Sequence, residues 1–311
     1  MESLQSATRP PALRLTADCL AEARPTVQII FLLRYLCGAL LAAPGHLPDG
    51  PRLVIGAFGW SCSTIAVYLY NGVADLAEDM ANGSRRPIAS AQLPVRSAVR
   101  AAVGLAVTGL VCAACVGLVQ VVLAATFLTI GYLYSGPPFP LKRWPHTMSA
   151  AGLILCVTTY WAGGTVGGSP HQVTLLTFAT VMSLWTAGVG GISKELSDVE
   201  GDRIAGRHTW PTVLGDRKAR VLLALVAMGI GAIFCVVAWD YQPLLKWCAV
   251  IVAAGAVAVA AVGLATSASG ERLERRRPYR VFMSTQHLTH LALLAVLWIS
   301  SGVTTSRGLW L

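Results

Sequence analysis

Nine stretches of about twenty mostly apolar residues divide this chain. They run roughly over 26–44, 53–74, 97–115, 117–135, 148–167, 172–192, 219–239, 244–267 and 281–301. A helix rises about 1.5 Å per residue, so such a stretch crosses a hydrocarbon core about 30 Å thick. The third and fourth stretches are almost continuous, and a turn is expected at Gly117. Composition agrees with this reading. Of 311 residues, 55% are hydrophobic and 13% are charged, whereas soluble domains carry about 25% charged residues. The pattern predicts an all-α integral membrane protein with about nine transmembrane helices.

The connecting segments predict an orientation. With the N-terminus on side one, that side holds Arg9, Arg14 and Arg24, then Arg85, Arg86, Arg96 and Arg100, then Lys142 and Arg143. It also holds the basic residues from Lys194 to Arg220 and from Arg272 to Arg280. Twenty of the 24 Lys and Arg fall there, against Arg52, Lys246 and Arg307 opposite and Arg34 inside the first span. The positive-inside rule then puts side one, with the N-terminus, in the cytoplasm. The net charge of +9 is mostly a topology signal. It needs no nucleic acid, and nothing calls for an obligate protein partner. Residues 1–24 are mixed and polar, without an apolar core before a cleavage site, and read as a cytoplasmic tail. Residues 25–305 read as one transmembrane domain and 306–311 as a short C-terminal tail. The eight cysteines, including the Cys112-x-x-Cys115 pair inside an apolar run, read as small packing residues.

The acids are the exception in so apolar a chain. Asp75, Glu78, Asp79, Glu195, Asp198, Glu200 and Asp202 gather at the cytoplasmic ends of spans two and six. In NGVADLAEDMANGSRRP, residues 71–87, Asn71, Asp75 and Asp79 recur every four residues, with Arg86 and Pro87 behind. In KELSDVEGDRIAGRHTWP, residues 194–211, Asp198 and Asp202 do the same, with Arg207 and Pro211 behind. The two segments read as a weak internal repeat. Residues i and i+4 share a helix face, and stacked carboxylates repel unless a cation sits among them. Oxygen-only donors suit Mg²⁺, which takes one or two carboxylates along with phosphate oxygens and water. Two such faces across a cavity would hold Mg²⁺ ions gripping one diphosphate. Arg86, Lys142, Lys194 and Arg207 are placed to neutralise the remaining phosphate charge. Glu78 and Glu200 are expected to face away from the ligand faces, by about 100° per residue on an ideal helix. YSGPPFPLKR, residues 134–143, reads as a stiff connector that presents Lys142 with Tyr134 beneath it.

Three ordered motifs now resemble one family, the UbiA superfamily of intramembrane prenyltransferases, which also includes terpene cyclases. Its NxxxDxxxD…RP motif is matched by Asn71, Asp75, Asp79, Arg86 and Pro87. Its second acidic motif is matched by Lys194, Asp198, Asp202, Gly206, Thr209 and Pro211, and its YxPP…K connector by Tyr134, Pro137, Pro138 and Lys142. There are departures. Gly72 stands where many members carry Asp, Glu195 where Asp is common, and Trp210 where Leu is usual. The resemblance implies helices around a central cavity that opens to the cytoplasmic side. It implies Asp75, Asp79, Asp198 and Asp202 as catalytic metal ligands with Glu195 beside them, and Asn71, Arg86, Tyr134, Lys142, Lys194 and Arg207 around the diphosphate. The implied reaction is Mg²⁺-dependent ionisation of an allylic isoprenyl diphosphate, with prenyl transfer to an acceptor that the sequence does not identify and that an aromatic ring would suit. The alternative is a membrane terpene cyclase with the same site and no acceptor. A transporter is disfavoured, because the acids lie at helix ends rather than mid-membrane.

Lesser features complete the reading. Trp60, Tyr68, Tyr70, Tyr160, Trp161 and Trp185 are candidates to stabilise a carbocation. His287 and His290 share a face and read as packing or interhelical hydrogen-bonding residues. Arg34 faces either the cavity or a carbonyl partner. The run Glu271 to Arg280 reads as an amphipathic cytoplasmic loop, for contact with anionic lipid or as a lid.

Overall fold

A computed structural model describes residues 11–266 and 270–307. Residues 1–10 of the expected N-terminal tail and 308–311 of the C-terminal tail lie outside the described residues. Among the described residues the chain is helical, with no strand. The first helix, α1 (Pro11–Glu22), lies inside the segment read as a tail. It meets α2 (Pro25–Leu41) at an angle of 74°. Arg24 turns the corner at φ 60°, and Pro25 restarts the helix where a missing N–H costs nothing.

The remaining spans follow the expected order: α3 (Gly50–Ala74), α5 (Val95–Val116), α6 (Leu118–Ser135) and α7 (Pro145–Gly167), with the short α4 (Leu76–Ala81) after α3. Gly117 separates α5 from α6 at φ 150°, a conformation that glycine adopts readily. The sixth span is one rod, α8 (Val173–Leu184), a π-helical turn (Trp185–Gly190) and α9 (Gly191–Ile204). It runs past its expected end at residue 192 and carries the second acidic segment on a helix, as the i, i+4 spacing of Asp198 and Asp202 implies. After the short α10 (Trp210–Leu214) come α11 (Asp216–Asp240), α12 (Lys246–Ala265), α13 (Arg272–Arg275) and α14 (Arg277–Arg307). The run from Glu271 to Arg280 is therefore mostly helical. Among the described residues, eight helices are long and apolar enough to cross a bilayer, and the bent pair of α1 and α2 makes up to nine.

The outer surface is apolar. On α5, Val103, Val107 and Val111 are each more than half exposed along one stripe. A continuous exposed apolar surface is rare on a soluble monomer and suits lipid. Inside, α2 lies along α7 and α3 along α5, while α11 packs on α12 and α12 on α14. One core, around Tyr35, Trp60 and Phe127, serves the N-terminal half. Another, around Phe178, Trp185, Phe234 and Val252, serves the C-terminal half. A central cavity of about 170 Å³ lies between them. Its walls come from both halves and include Phe31, Tyr68 and Phe127 on one side and Met148, Ala187 and Phe282 on the other.

Candidate active site

At its polar end the cavity is lined by Asn71, Tyr134 and Lys194, one residue from each expected motif. Helix α3 stops at Ala74, Asp75 caps it and α4 begins at Leu76. The hydrogen bonds nevertheless keep helical spacing, with the Asp75 N–H donating to Asn71 O and the Asp79 N–H to Asp75 O, both 2.8 Å. Asn71 Nδ2 donates to Asp75 Oδ2 at 2.7 Å, and Ser135 Oγ donates to Asn71 Oδ1 at 2.5 Å. The first motif is thus fastened to the end of α6. The second motif packs directly on the first. Gly201 N–H donates to Asn82 Oδ1 at 3.1 Å. A Cβ on Gly201 would meet the Asn82 amide, so a side chain here would displace the group that ties the two segments together.

Basic side chains thread between the acids. The 3-10 turn Leu141–Arg143 carries Lys142, which is buried, pairs with Asp75 and lies 3.7 Å from Glu78. Burial pushes the Lys142 ammonium down to about 7, and the charges of Arg207 and Lys194 act in the same direction. Arg86 contacts Asp79 and Glu22 at 2.5 Å each. Arg207 lies 2.8 Å from Asp202 and 3.3 Å from Glu78. Arg272 lies 2.9 Å from Asp198 and donates to Asn82 O, joining both motifs. Each of the four aspartates therefore faces a cation of the chain. Glu195 is buried and turned elsewhere. Its Oε2 accepts from the Trp210 N–H at 2.8 Å, while its Oε1 is buried without a hydrogen-bond partner.

One expectation is corrected. Glu78 does not face away: it reaches Arg207 and Lys142 across the break in the helix. Its carboxyl is pushed up by burial, against the pull of Arg207. The expectation compared Glu78 with Asp79 alone, whereas Glu78 is three residues after Asp75, and residues at i and i+3 are neighbours on a helix surface. Glu200 does face outward and makes an exposed pair with Arg203 at 3.7 Å.

Sequence reasoning missed Glu22, Arg24 and Arg272. Glu22 is fully buried on α1 and accepts from the Ile88 N–H at 2.9 Å. A Cβ on Gly72 would sit 2.2 Å from Glu22 Oε1, so the Glu22 carboxylate occupies the space above the departing glycine. Arg24 lines the cavity. These residues carry no periodic signal, since their roles come from segments that only the fold brings to the site. Of the six aromatic candidates, Tyr68 lines the cavity. Trp60 and Trp185 are core residues, and Tyr70 stacks on Tyr132. Phe31, Phe127, Tyr134, Tyr279 and Phe282 supply the other aromatic wall. The histidines form interhelical hydrogen bonds, His290 with the Tyr160 hydroxyl and His287 with Thr26 O. Arg34 lines the cavity.

The acids are oxygen donors throughout, which suits a hard cation. Among the described residues no three His, Cys, Asp or Glu side chains are gathered into a metal cage, because Lys142, Arg86, Arg207 and Arg272 stand between them. The donor set fits Mg²⁺ in kind, with basic side chains in the positions of counter-charge.

The model of the UbiA prenyltransferase family matches residues 31–286. The chain belongs to that family. It is 31% identical over 235 residues to digeranylgeranylglyceryl phosphate synthase of Methanopyrus kandleri, covering 71% of this chain and 84% of that one. It is 27% identical over 209 residues to 2-acyl-4-prenylphloroglucinol 6-prenyltransferase of Humulus lupulus, covering 62% of this chain but half of the plant protein. Among solved structures, the fold is similar to a UbiA homologue from Archaeoglobus fulgidus bound to GPP and Mg²⁺. The TM-score is 0.73 at 19% identity, over 92% of this chain and 99% of that one. A UbiA homologue from Aeropyrum pernix gives a TM-score of 0.69 at 19% identity, over 87% and 97%. The UbiA-family chain is thus an enzyme and an integral, multi-pass membrane protein.

Proposed function

We propose that this protein transfers a prenyl group from an allylic isoprenyl diphosphate to an acceptor, with Mg²⁺ as cofactor. The observation that carries this reading is the meeting of two acidic segments, interleaved with basic side chains, at the polar end of an apolar cavity. The assigned metal ligands are Asp75, Asp79, Asp198 and Asp202, with Glu195 beside them. Bound Mg²⁺ would supply charge neutralisation to the departing pyrophosphate. In the chain itself, Lys142, Arg86 and Arg207 hold the aspartates apart until the diphosphate arrives. They then exchange carboxylate for phosphate oxygens, together with Lys194 and Asn71, and the carboxylates are freed. Tyr134 lines the cavity with Asn71 and Lys194 and would meet the diphosphate there. The bond from C1 to the diphosphate oxygen breaks, and its electron pair leaves with the pyrophosphate. The acceptor's nucleophilic atom bonds C1 and releases its proton. The apolar walls exclude the water that would quench the allylic cation, and ring faces such as Tyr68 and Phe282 stabilise it.

The site faces the cytoplasm in this reading, because the basic loops and the N-terminus lie on its side. The domain of residues 25–305 carries the assigned residues, with Glu22 and Arg24 added from the segment before it. The A. fulgidus homologue, similar in fold, is bound to GPP and Mg²⁺, which supports a diphosphate and Mg²⁺ as the ligands in this reading. The test is pyrophosphate release in purified membranes supplied with allylic diphosphates of several lengths. Release that requires Mg²⁺ or Mn²⁺, stops in EDTA and depends on an added acceptor is the expected result. Full turnover in the chelator would overturn the diphosphate-site reading. Hydrocarbon formed without acceptor would replace transfer by cyclisation.

A further inference from the structure

Glu22 is a buried acid for which the proposed reaction has so far given no use. It ends α1, the helix that bends by 74° into the first span, and it is fully buried. A carboxylate stays ionised away from water only where cations and hydrogen-bond donors meet it. Among the described residues its one cation is Arg86, whose Nη2 lies 2.5 Å from Glu22 Oε1. That contact is ionic, and the directed bond of the same Nη2 goes to the Glu22 backbone oxygen at 3.1 Å. Glu22 Oε2 accepts from the Ile88 N–H at 2.9 Å. Glu22 thus fastens both the Arg86 guanidinium and the backbone two residues beyond it. Room for this exists because residue 72 is glycine. A Cβ there would run into Glu22 Oε1 and lie 3.0 Å from Arg86 Nη2.

The other end of the guanidinium faces Asp79, with Nη1 donating to Oδ2 at 2.5 Å. The two carboxylates are not equivalent. Asp79 is partly exposed, whereas Glu22 has no exposed surface with which to touch a ligand. Asp79 can leave Arg86 for a metal ion, and Glu22 cannot. A guanidinium is a rigid planar fork, so a carboxylate that keeps Nη2 also sets the direction of Nη1. Resting on the diphosphate site of the reading above, we propose that Glu22 is a positioning residue for that site. It holds Arg86 through Nη2 while Nη1 passes from Asp79 to a phosphate oxygen. Without it Arg86 falls back on Asp79, and the metal and the guanidinium compete for one carboxylate.

The test uses the full-length protein in nanodiscs with Mg²⁺. Binding of inorganic pyrophosphate, the group common to every allylic diphosphate, is followed by calorimetry. Glu22→Gln keeps the shape and the acceptor for Ile88 and removes the charge. It is expected to raise the Kd about 10-fold, the scale of losing a group that orients a ligand-holding side chain. The sign separates positioning from bulk charge, because removal of an anion alone would tighten the binding of pyrophosphate. In an Arg86→Gln background, Glu22→Gln should raise the Kd no further. Gly72→Asp should restore most of the affinity that Glu22→Ala loses, by supplying a carboxylate from the other helix. An unchanged or lower Kd in folded Glu22→Gln overturns the inference, and so does a full further rise in the Arg86→Gln background. Where Glu22→Gln fails to fold, Glu22→Asp draws the charge back by one methylene, and an unchanged Kd there overturns the inference equally. If the unmodified protein does not bind pyrophosphate with Mg²⁺, the diphosphate site falls and this inference with it. Tight binding that is indifferent to Glu22 overturns only the inference.

Discussion

At the scale of single residues, the site is a set of exchanges between carboxylates and cations. Asp75, Asp79, Asp198 and Asp202 each face a basic group. Glu78 shares two of those groups, whereas Glu200 shares none of them. Changing Asp75 or Asp198 to Asn keeps shape and removes charge. Each change should lower pyrophosphate release on the order of 10²-fold, as for other groups that stabilise transition-state charge. Glu200→Gln should keep nearly full turnover. Glu78→Gln should fall between the two, because Arg207 and Lys142 each lose one of two acidic partners. Rates normalised to folded protein check the series. Wild-type turnover in both Asp→Asn variants would make the acids simple interfacial charges. A Glu78→Gln enzyme as active as Glu200→Gln would mean that the pairing with Arg207 has no bearing on the reaction.

At the scale of elements, α1 decides how the first motif is held. Cys19 packs with Leu69, Ile88, Leu93 and Ala98 in a small core of its own. That packing sets Glu22 against Gly72 and Arg86. Where relatives of this family often carry an aspartate, this chain has a glycine and brings a carboxylate from another helix. Glu22→Ala takes one of two carboxylates from Arg86 and leaves the Ile88 N–H without its acceptor, which should cost about 1–3 kcal/mol. Gly72→Asp in the intact protein should cost about 1–3 kcal/mol by overpacking. The pair Glu22→Ala with Gly72→Asp should recover much of both losses, since one carboxylate replaces the other in the same space. Thermal unfolding of the three variants in detergent measures the coupling. Strictly additive losses would show that the two positions do not substitute for each other.

At the scale of the whole molecule, two helical halves enclose the cavity, and both acidic segments lie at its one polar end. The bias of basic residues predicts that this end faces the cytoplasm. In a background without native cysteines, Ser84→Cys should react with an impermeant thiol reagent only from the cytoplasmic side. Ser169→Cys, exposed after α7, should react only from the opposite side. The reverse pattern would invert the orientation and place the site outside.

The spans, the turn at Gly117 and the two acidic segments were legible because they rest on local rules. Length and hydropathy define a membrane helix, glycine alone takes the backbone conformation at 117 readily, and i, i+4 spacing survives wherever hydrogen bonds keep helical order. Charge counting gave the expected orientation for the same reason, since it needs only the order of loops. The tertiary structure decided what no spacing encodes. The placement of Lys142 and Arg207 beside the first motif gave Glu78 its partners. The bend at Arg24 folded part of an apparent tail onto the first motif and buried Glu22. The arrangement of α13 and α14 brought Arg272 to Asp198. Packing chose Phe31, Phe127 and Phe282 for the cavity wall and left Trp60 and Trp185 in the cores. Arg34 was visible as an odd charge in an apolar run, but only the meeting of the first, sixth and ninth spans shows that it is held by the neutral Thr186 and Gln286. Each of these depends on contacts between residues far apart in the chain, and such contacts leave no period in the sequence.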